Sequence, residues 1–202
     1  MLVAKFSPTS GKGDIIMSRI GKKPIILPAG VTLDQTTDNV VIVNGPKGSL
    51  RQWIDSSIKV SKNELEGKTV VTLARDNDQK EVRAKHGLYR ALIANMIKGV
   101  TEGYSKTLVV NGVGFKVAVS GNKIVMNIGL SHPVNVDIPQ GITATCPSAN
   151  EIKVEGIDKT FVGQFAADIK AIKPIEPYHG YGIRYSTEEV HLKEIKKAGK
   201  KK

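Results

Sequence analysis

Several residue types are scarce in this 202-residue chain, and each scarcity excludes a class of protein. Cys146 is the single cysteine, so the chain forms neither an internal disulfide nor a multi-cysteine metal site, which is typical of a reducing compartment. No apolar stretch approaches the roughly 18–20 residues that span a bilayer. The start of the sequence lacks the apolar core of a signal peptide. We therefore predict a cytoplasmic protein, or one of an organelle's matrix or stroma, that has no membrane partner.

Acidic residues are also few, because 19 Asp and Glu face 30 Lys and Arg, which leaves a net charge of +11. The surplus lies towards the two ends: residues 1–100 carry +7, residues 101–169 carry −1 and residues 170–202 carry +5. A basic chain of this kind favours a polyanionic partner, either nucleic acid or an anionic membrane surface. This charge distribution indicates a compact, near-neutral body whose two basic ends bind the partner.

Catalytic motifs are missing. Residues 112–115 (Gly-Val-Gly-Phe) begin like a dinucleotide-binding fingerprint, but Val117 stands where the third glycine belongs, so a tight turn or bulge beside a strand explains them better. No phosphate-binding P-loop is present, and the four histidines show no metal-ligand spacing with one another or with Cys146. For His86, on a predicted helix, a packing role is favoured. We predict that the chain is not an enzyme and has no cofactor, metal or small-molecule substrate.

Strand and helix signals follow one another twice. Residues 40–43 form a β-branched run that ends at the turn signal 44–48, and residues 69–73 form a second strand. From Glu81 the apolar period becomes helical, and Gly99 stands where a C-cap glycine belongs.

The second half repeats this order. Strands are predicted at 124–128, before Gly129, and at 152–154, and a helix follows over 161–172 until Pro174. When the sequence is aligned with itself at offsets of 80 and 84 residues, several residues of the first half match residues of the second. The matches are few, and a chance alignment is the alternative. We predict an α+β fold of two tandem similar domains, at 25–100 and 101–175, each with an antiparallel or mixed sheet packed with a helix.

The two ends of the chain differ from this body. Residues 1–24 read as an extension followed by a basic arm, and Met17 is the expected natural start. Residues 176–185 combine three tyrosines with glycines and an arginine, which suits base stacking and phosphate contact, whereas a loop packed on its own domain is the plainer alternative. Residues 186–189 resemble a capping box, so a short helix is predicted, with a strand over 190–192 as the alternative. The tail to residue 202 is lysine-rich and reads either as a polycation that binds phosphates or as a solvated end.

Together these segments resemble the large-subunit ribosomal protein six family in its bacterial form. The stretches that carry the resemblance are Met17-Ser18-Arg19-Ile20-Gly21-Lys22-Lys23-Pro24, Gly45-Pro46-Lys47-Gly48, Asn95-Met96-Ile97-Lys98-Gly99, Gly112-Val113-Gly114-Phe115, Ser131-His132-Pro133-Val134, Val162-Gly163-Gln164 and Glu176-Pro177-Tyr178 with Gly182-Ile183-Arg184-Tyr185.

The resemblance implies a structural constituent of the large ribosomal subunit that binds large-subunit ribosomal RNA of the 23S type, mainly through its C-terminal domain. It also implies a place near the sarcin–ricin region and the stalk base, beside neighbouring ribosomal proteins and the surface where translational GTPases dock, and a role in assembly and translation. A non-ribosomal RNA-binding module is the alternative. The family usually carries two lysines where this chain has His179 and Tyr181, which puts phosphate contacts at those positions in question. The predicted RNA-binding residues are Arg19, Lys22, Lys23, Lys159, Lys173, Tyr178, His179, Gly180, Tyr181, Gly182, Arg184, Tyr185, Lys193, Lys196 and Lys197.

Overall fold

The computed structural model describes residues 21, 23–65 and 68–194. In the first half these residues form β1 (Ile25–Ile26), β2 (Thr32–Gln35), β3 (Val40–Gly45), β4 (Gly48–Trp53), β5 (Ile58–Leu65), β6 (Lys68–Arg75) and α1 (Lys80–Thr101). In the second half they form β7 (Tyr104–Asn111), β8 (Lys116–Ser120), β9 (Lys123–Asn127), β10 (Val134–Asp137), β11 (Ile142–Ser148), β12 (Glu151–Gly156), α2 (Lys159–Ile172) and β13 (Gly182–Tyr185). The four strands and the second helix that the sequence predicts are confirmed.

The two halves have the same topology. Each half contains a first strand, a three-stranded meander, a hairpin and a helix, and all strand pairs are antiparallel. The meanders form the sheets β2-β3-β4 and β8-β9-β10, while the first strand and hairpin form β1-β6-β5 and its counterpart β7-β12-β11. The predicted fold class, two tandem similar α+β domains, is confirmed. In the described residues the second half has one further strand, β13, which extends its sheet to the order β11-β12-β7-β13.

The described residues group into two compact units. One contains residues 21, 23–27, 54–65 and 68–92, and its buried apolar side chains come from β1, β5, β6 and the first turns of α1, with Leu27 and Ile54 from the adjoining loops. The other contains residues 28–53 and 93–194, and its main core joins β7–β12 and β13 to the apolar face of α2. Val162, Phe165, Ala166 and Ile169 supply that face at helical spacing. The domain limits predicted from the sequence stay a prediction.

The end of α1 differs from the prediction. The helix does not stop at Gly99 but continues to Thr101, and the residue with a left-handed φ of 82° is Gly103. The Gly103 amide donates to the Lys98 carbonyl at 3.2 Å, so Gly103 closes the helix. Gly99 is a glycine for another reason: a Cβ there would run into the backbone carbonyl of Ile157. The prediction that Gly99 caps the helix was therefore wrong. Glycine is favoured both at a site of close packing, as at Gly99, and at the end of a helix, as at Gly103, and the sequence pattern does not distinguish the two.

The predicted short helix at 186–189 is also wrong. Residues 186 and 187 form a turn and residues 188–194 are irregular, so the alternative strand at 190–192 is absent as well. The Glu188 carboxylate accepts hydrogen bonds from Lys170 Nζ and from the Tyr185 amide. These contacts stabilise a turn where the local pattern predicts a helix. No helix among the described residues is long and apolar enough to cross a membrane.

Candidate RNA-binding surface

Most of the predicted RNA-binding residues lie in one stretch, residues 173–193, which we name the C-terminal segment. It leaves α2 and turns back in a loop closed by two backbone hydrogen bonds, Glu176 N to Tyr181 O at 2.9 Å and Gly180 N to Glu176 O at 3.0 Å. It then forms β13 on the free edge of β7 and returns, so that the Lys193 amide donates to the Pro177 carbonyl at 2.8 Å. The segment is therefore a structured part of the second half.

Two glycines allow this path. Gly180 and Gly182 are buried and have φ values of 71° and 142°, in the region that favours glycine. A Cβ on Gly182 would lie 2.6 Å from the Pro174 carbonyl oxygen and 2.8 Å from the Ile175 Cα. Both glycines thus have an internal packing role, and a phosphate contact is not needed to explain them.

Three aromatic side chains of the loop face solvent. Tyr178 is 48% exposed and Tyr181 is 38% exposed. The rings of His179 and Tyr181 stack, with centroids 5.5 Å apart and an interplanar angle of 15°. The Glu176 carboxylate, which can only accept, accepts a hydrogen bond from His179 Nδ1 at 3.2 Å. The loop thus presents an ordered pair of stacked rings.

Tyr185 lies in a different environment, because two ammonium groups flank its half-buried ring. Lys170 Nζ lies 4.9 Å and Lys106 Nζ 5.3 Å from the ring centroid. Lys170 also donates to both carboxylate oxygens of Glu188 at 2.7 Å, and this contact, then the hydrogen bond from the Tyr185 amide, holds the pKa of Glu188 below its usual range. Arg184 Nη1 donates to the Glu188 carbonyl at 2.9 Å. Glu188 therefore fixes the strand and the turn after it.

Three residues of this arrangement, Lys106, Lys170 and Glu188, are not marked as site residues by any pattern in the sequence. Lys106 is 79 residues from Tyr185 in the chain, and only the pairing of β13 with β7 brings the two together. The sequence contains no charge run or local motif that would mark this contact.

The predicted lysines are spread more widely. Lys173 is half-buried directly after α2, whereas the exposed Lys159 begins that helix, roughly 20 Å away at 1.5 Å per residue. Lys193 is exposed at the end of the C-terminal segment. Lys23 belongs to the other unit, where its carbonyl accepts from Arg90 Nε at 3.2 Å. The predictions for Arg19, Lys22, Lys196 and Lys197 lie outside the described residues.

The motifs considered for catalysis have structural roles. Gly114 has a φ of 75° in the turn between β7 and β8, and the Phe115 ring lies where a Cβ on Gly112 would be, so the predicted tight turn is confirmed. His86 is buried and its Nε2 lies 3.0 Å from the Leu73 carbonyl, as a packing role requires. Burial raises the pKa of the Cys146 thiol, which makes it a poor nucleophile at neutral pH. Across residues 21, 23–65 and 68–194, no group of three or more His, Cys, Asp or Glu side chains is placed to hold a metal ion.

A duplicated α+β body with an aromatic C-terminal segment, in which Lys173, Arg184 and Lys193 are balanced by three glutamates, is typical of a binding protein rather than an enzyme. Residues 27–103 and 111–186 each match the family model described as "Ribosomal protein L6". The two matched ranges follow the duplication seen in the fold. The chain belongs to the ribosomal protein L6 family.

Individual relatives agree with this assignment. A protein of Clostridium kluyveri is 49% identical over 185 residues, which cover 92% of this chain and 100% of the relative. A protein of Dictyoglomus thermophilum is 45% identical and one of Clostridium botulinum is 48% identical, each over 185 residues that cover 92% of this chain and 100% of the relative. All three are named "Large ribosomal subunit protein uL6". The resemblance stated from the sequence is confirmed, as is the prediction that the chain is not an enzyme, because the family is one of ribosomal proteins.

Proposed function

We propose that the chain is a structural constituent of the large ribosomal subunit and that it binds large-subunit ribosomal RNA of the 23S type. The observation that carries this proposal is the grouping of cationic and aromatic residues on one ordered C-terminal segment of a protein in the L6 family. The names of the relatives support it, since each is a protein of the large subunit. Binding is electrostatic and geometric, through phosphates and RNA shape rather than base sequence.

Every predicted residue except Gly180 and Gly182, which pack internally, has a contact or positioning role in this proposal. Arg184, Lys173 and Lys193 contact phosphates, and Lys159 contacts RNA separately at the far end of α2. Tyr178, Tyr181 and His179 face unpaired nucleotides, whereas Tyr185 positions the strand through its contacts with Lys170 and Lys106. The basic arm and the lysine-rich tail add non-specific charge neutralisation and counterion release, as proposed for Lys22, Lys23, Arg19, Lys196 and Lys197.

The finer placement follows the family. We place the chain near the sarcin–ricin region and the stalk base, next to other large-subunit proteins and close to where translational GTPases dock, in a cytoplasmic or organellar ribosome. In this position an ordered segment stiffens folded RNA during assembly and shapes the factor-binding side of the subunit. The body of the protein provides the rigid sheet to which the segment is attached.

A binding titration with matched charge changes tests the proposal. The full chain, the double variant Arg184→Ala with Lys193→Ala, and the control Lys116→Ala with Lys123→Ala are titrated against large-subunit and small-subunit ribosomal RNA over a range of salt. Both doubles lose two positive charges, and both control lysines lie on the β8–β9 hairpin, which belongs to a different sheet from β13. We expect the segment variant to weaken binding to large-subunit RNA and to lower the salt slope by about one per lost phosphate contact.

Two outcomes would overturn the proposal. Equal weakening by both doubles would mean that net charge, and not the segment, controls binding. Equal affinity of the full chain for the two RNAs would indicate a general RNA-binding module that functions outside the ribosome.

A further inference from the structure

A small cavity lies beside His179, one member of the stacked pair. Its volume is about 230 Å³, which is room for more than a single ordered water. Its lining residues come from β7, the loop, β13 and the chain after β13, namely Asn111, His179, Gly180, Arg184, Val190 and Leu192.

The lining has two kinds of surface. Val190, Leu192 and the His179 ring present apolar or aromatic faces, and Leu192 is 53% exposed although it is a large apolar side chain. Gly180 brings the backbone to the wall, where a Cβ would lie 3.2 Å from Leu192 Cδ2. The apolar and aromatic side chains of this lining therefore complement the apolar faces of a flat ring.

The polar side chains in the lining supply hydrogen-bonding groups. Asn111 Nδ2 donates to the Gly180 carbonyl at 3.0 Å, which holds the loop against β7. Arg184 uses Nη1 on the Glu188 carbonyl, and among the described residues its other guanidinium donors have no further partner. The remaining N–H groups of this guanidinium can donate to the oxygens of a phosphate or to acceptors on the edge of a polar ring.

The aromatic wall is preorganised. His179 is held from one side by Glu176 and from another by the Tyr181 ring, so its orientation is set before any ligand arrives. More than half of its side chain is still accessible, at 54%. Stacking on a fixed ring avoids part of the entropy that ordering a free side chain costs.

We propose that this cavity holds one unpaired nucleotide of the bound RNA. Its base stacks on His179, which extends the existing stack with Tyr181, and Arg184 donates to its phosphate. The inference rests on the proposed function, because it takes RNA as the partner, and it adds a mode of contact that depends on aromatic rings instead of lysine charges. An unpaired base fits better than a helical one, because only an extruded base can insert its face between side chains.

The test combines cross-linking with binding. Full-length protein is bound to large-subunit ribosomal RNA containing 4-thiouridine, irradiated, and the cross-linked peptides are identified. Affinities are then measured for His179→Ala with Tyr181→Ala, for His179→Phe with Tyr181→Phe, and for the control Trp53→Ala. Trp53 is an exposed aromatic residue, at 56%, on β4 outside the cavity.

We expect cross-links within residues 176–192 of the unmodified protein. The double alanine variant should lose these cross-links and bind about tenfold more weakly, the order expected for one base–aromatic stack. The double phenylalanine variant and Trp53→Ala should bind like the unmodified chain. Thermal melting of each variant verifies that its fold is intact.

The failures of the two proposals are distinguishable. If the unmodified chain does not prefer large-subunit RNA, the proposed function fails. If it does, but cross-links fall outside residues 176–192, or the double phenylalanine variant binds as weakly as the double alanine variant, the stacked-nucleotide site is overturned and the function stands. Unchanged binding by the double alanine variant would overturn the site as well.

Discussion

A matched pair of glycine substitutions, Gly182→Ala and Gly163→Ala, should change the stability of the chain in opposite directions. At Gly182 the added methyl would lie 2.6 Å from the Pro174 carbonyl oxygen and 2.8 Å from the Ile175 Cα, both backbone atoms, and φ is 142°. Overpacking of this kind costs about 1–3 kcal/mol and a strained φ about 1–3 kcal/mol, so the free energy of unfolding should fall by about 2–6 kcal/mol. Gly163 lies within α2, where the same methyl meets nothing within 4 Å.

At Gly163, alanine should stabilise the helix by about 0.5–1 kcal/mol, because glycine loses more backbone entropy on folding. For a chain of this length about 1 kcal/mol moves Tm by roughly 2–4 °C. Thermal unfolding followed by far-UV circular dichroism should therefore show Gly182→Ala at least about 4 °C below the unmodified chain, and Gly163→Ala slightly above it. A Gly182→Ala protein as stable as the unmodified one would refute the close approach of the loop to β13.

Three further changes probe the segment and the core. The lowered pKa of Glu188 means that its ion pair with Lys170 stabilises the folded chain above the ordinary carboxyl pKa of 4.5 and is lost as the pH falls through the lower folded value. Glu188→Ala should accordingly speed hydrogen exchange of the Tyr185 amide at pH 7 and change it little in acid; equal effects at both pH values would contradict the pairing. Ile152→Ala, at a fully buried site, should cost about 2–5 kcal/mol in urea unfolding, and a loss below about 1 kcal/mol would argue against the packed core. Lys193→Ala should lower the salt slope of RNA binding by about one, and an unchanged slope would remove this residue from the contact.

Local patterns were sufficient for much of the body. The β3–β4 hairpin follows from a β-branched run that meets a Gly-Pro-Lys-Gly turn, and α2 follows from apolar residues at helical spacing before Pro174. The duplication is visible because each half repeats strand, turn and helix signals in the same order. These features depend on neighbours within a few residues, which is the range that a single sequence encodes clearly.

The structure of the C-terminal segment was harder to predict from the sequence, because it depends on residues that are distant in the chain. β13 contains only four residues and is a strand because β7, about 70 residues earlier, offers a free edge. Residues 186–189 resemble a capping box, but Glu188 pairs with Lys170, a charge-assisted partner that the local pattern does not show. The residue types of the candidate surface were therefore predictable, whereas their packing and the cavity beside His179 were not.

The central claim is that this chain docks into the large ribosomal subunit through several ordered contacts. The most direct measurement is co-sedimentation of the tagged full-length chain from cell lysate through a sucrose gradient at high salt. Specific docking predicts that the chain moves with the large subunit through the salt wash, because buried and geometrically matched contacts are screened much less than exposed charges. Recovery at the top of the gradient, with binding to any RNA only at low salt, would contradict the claim and indicate a general polycation.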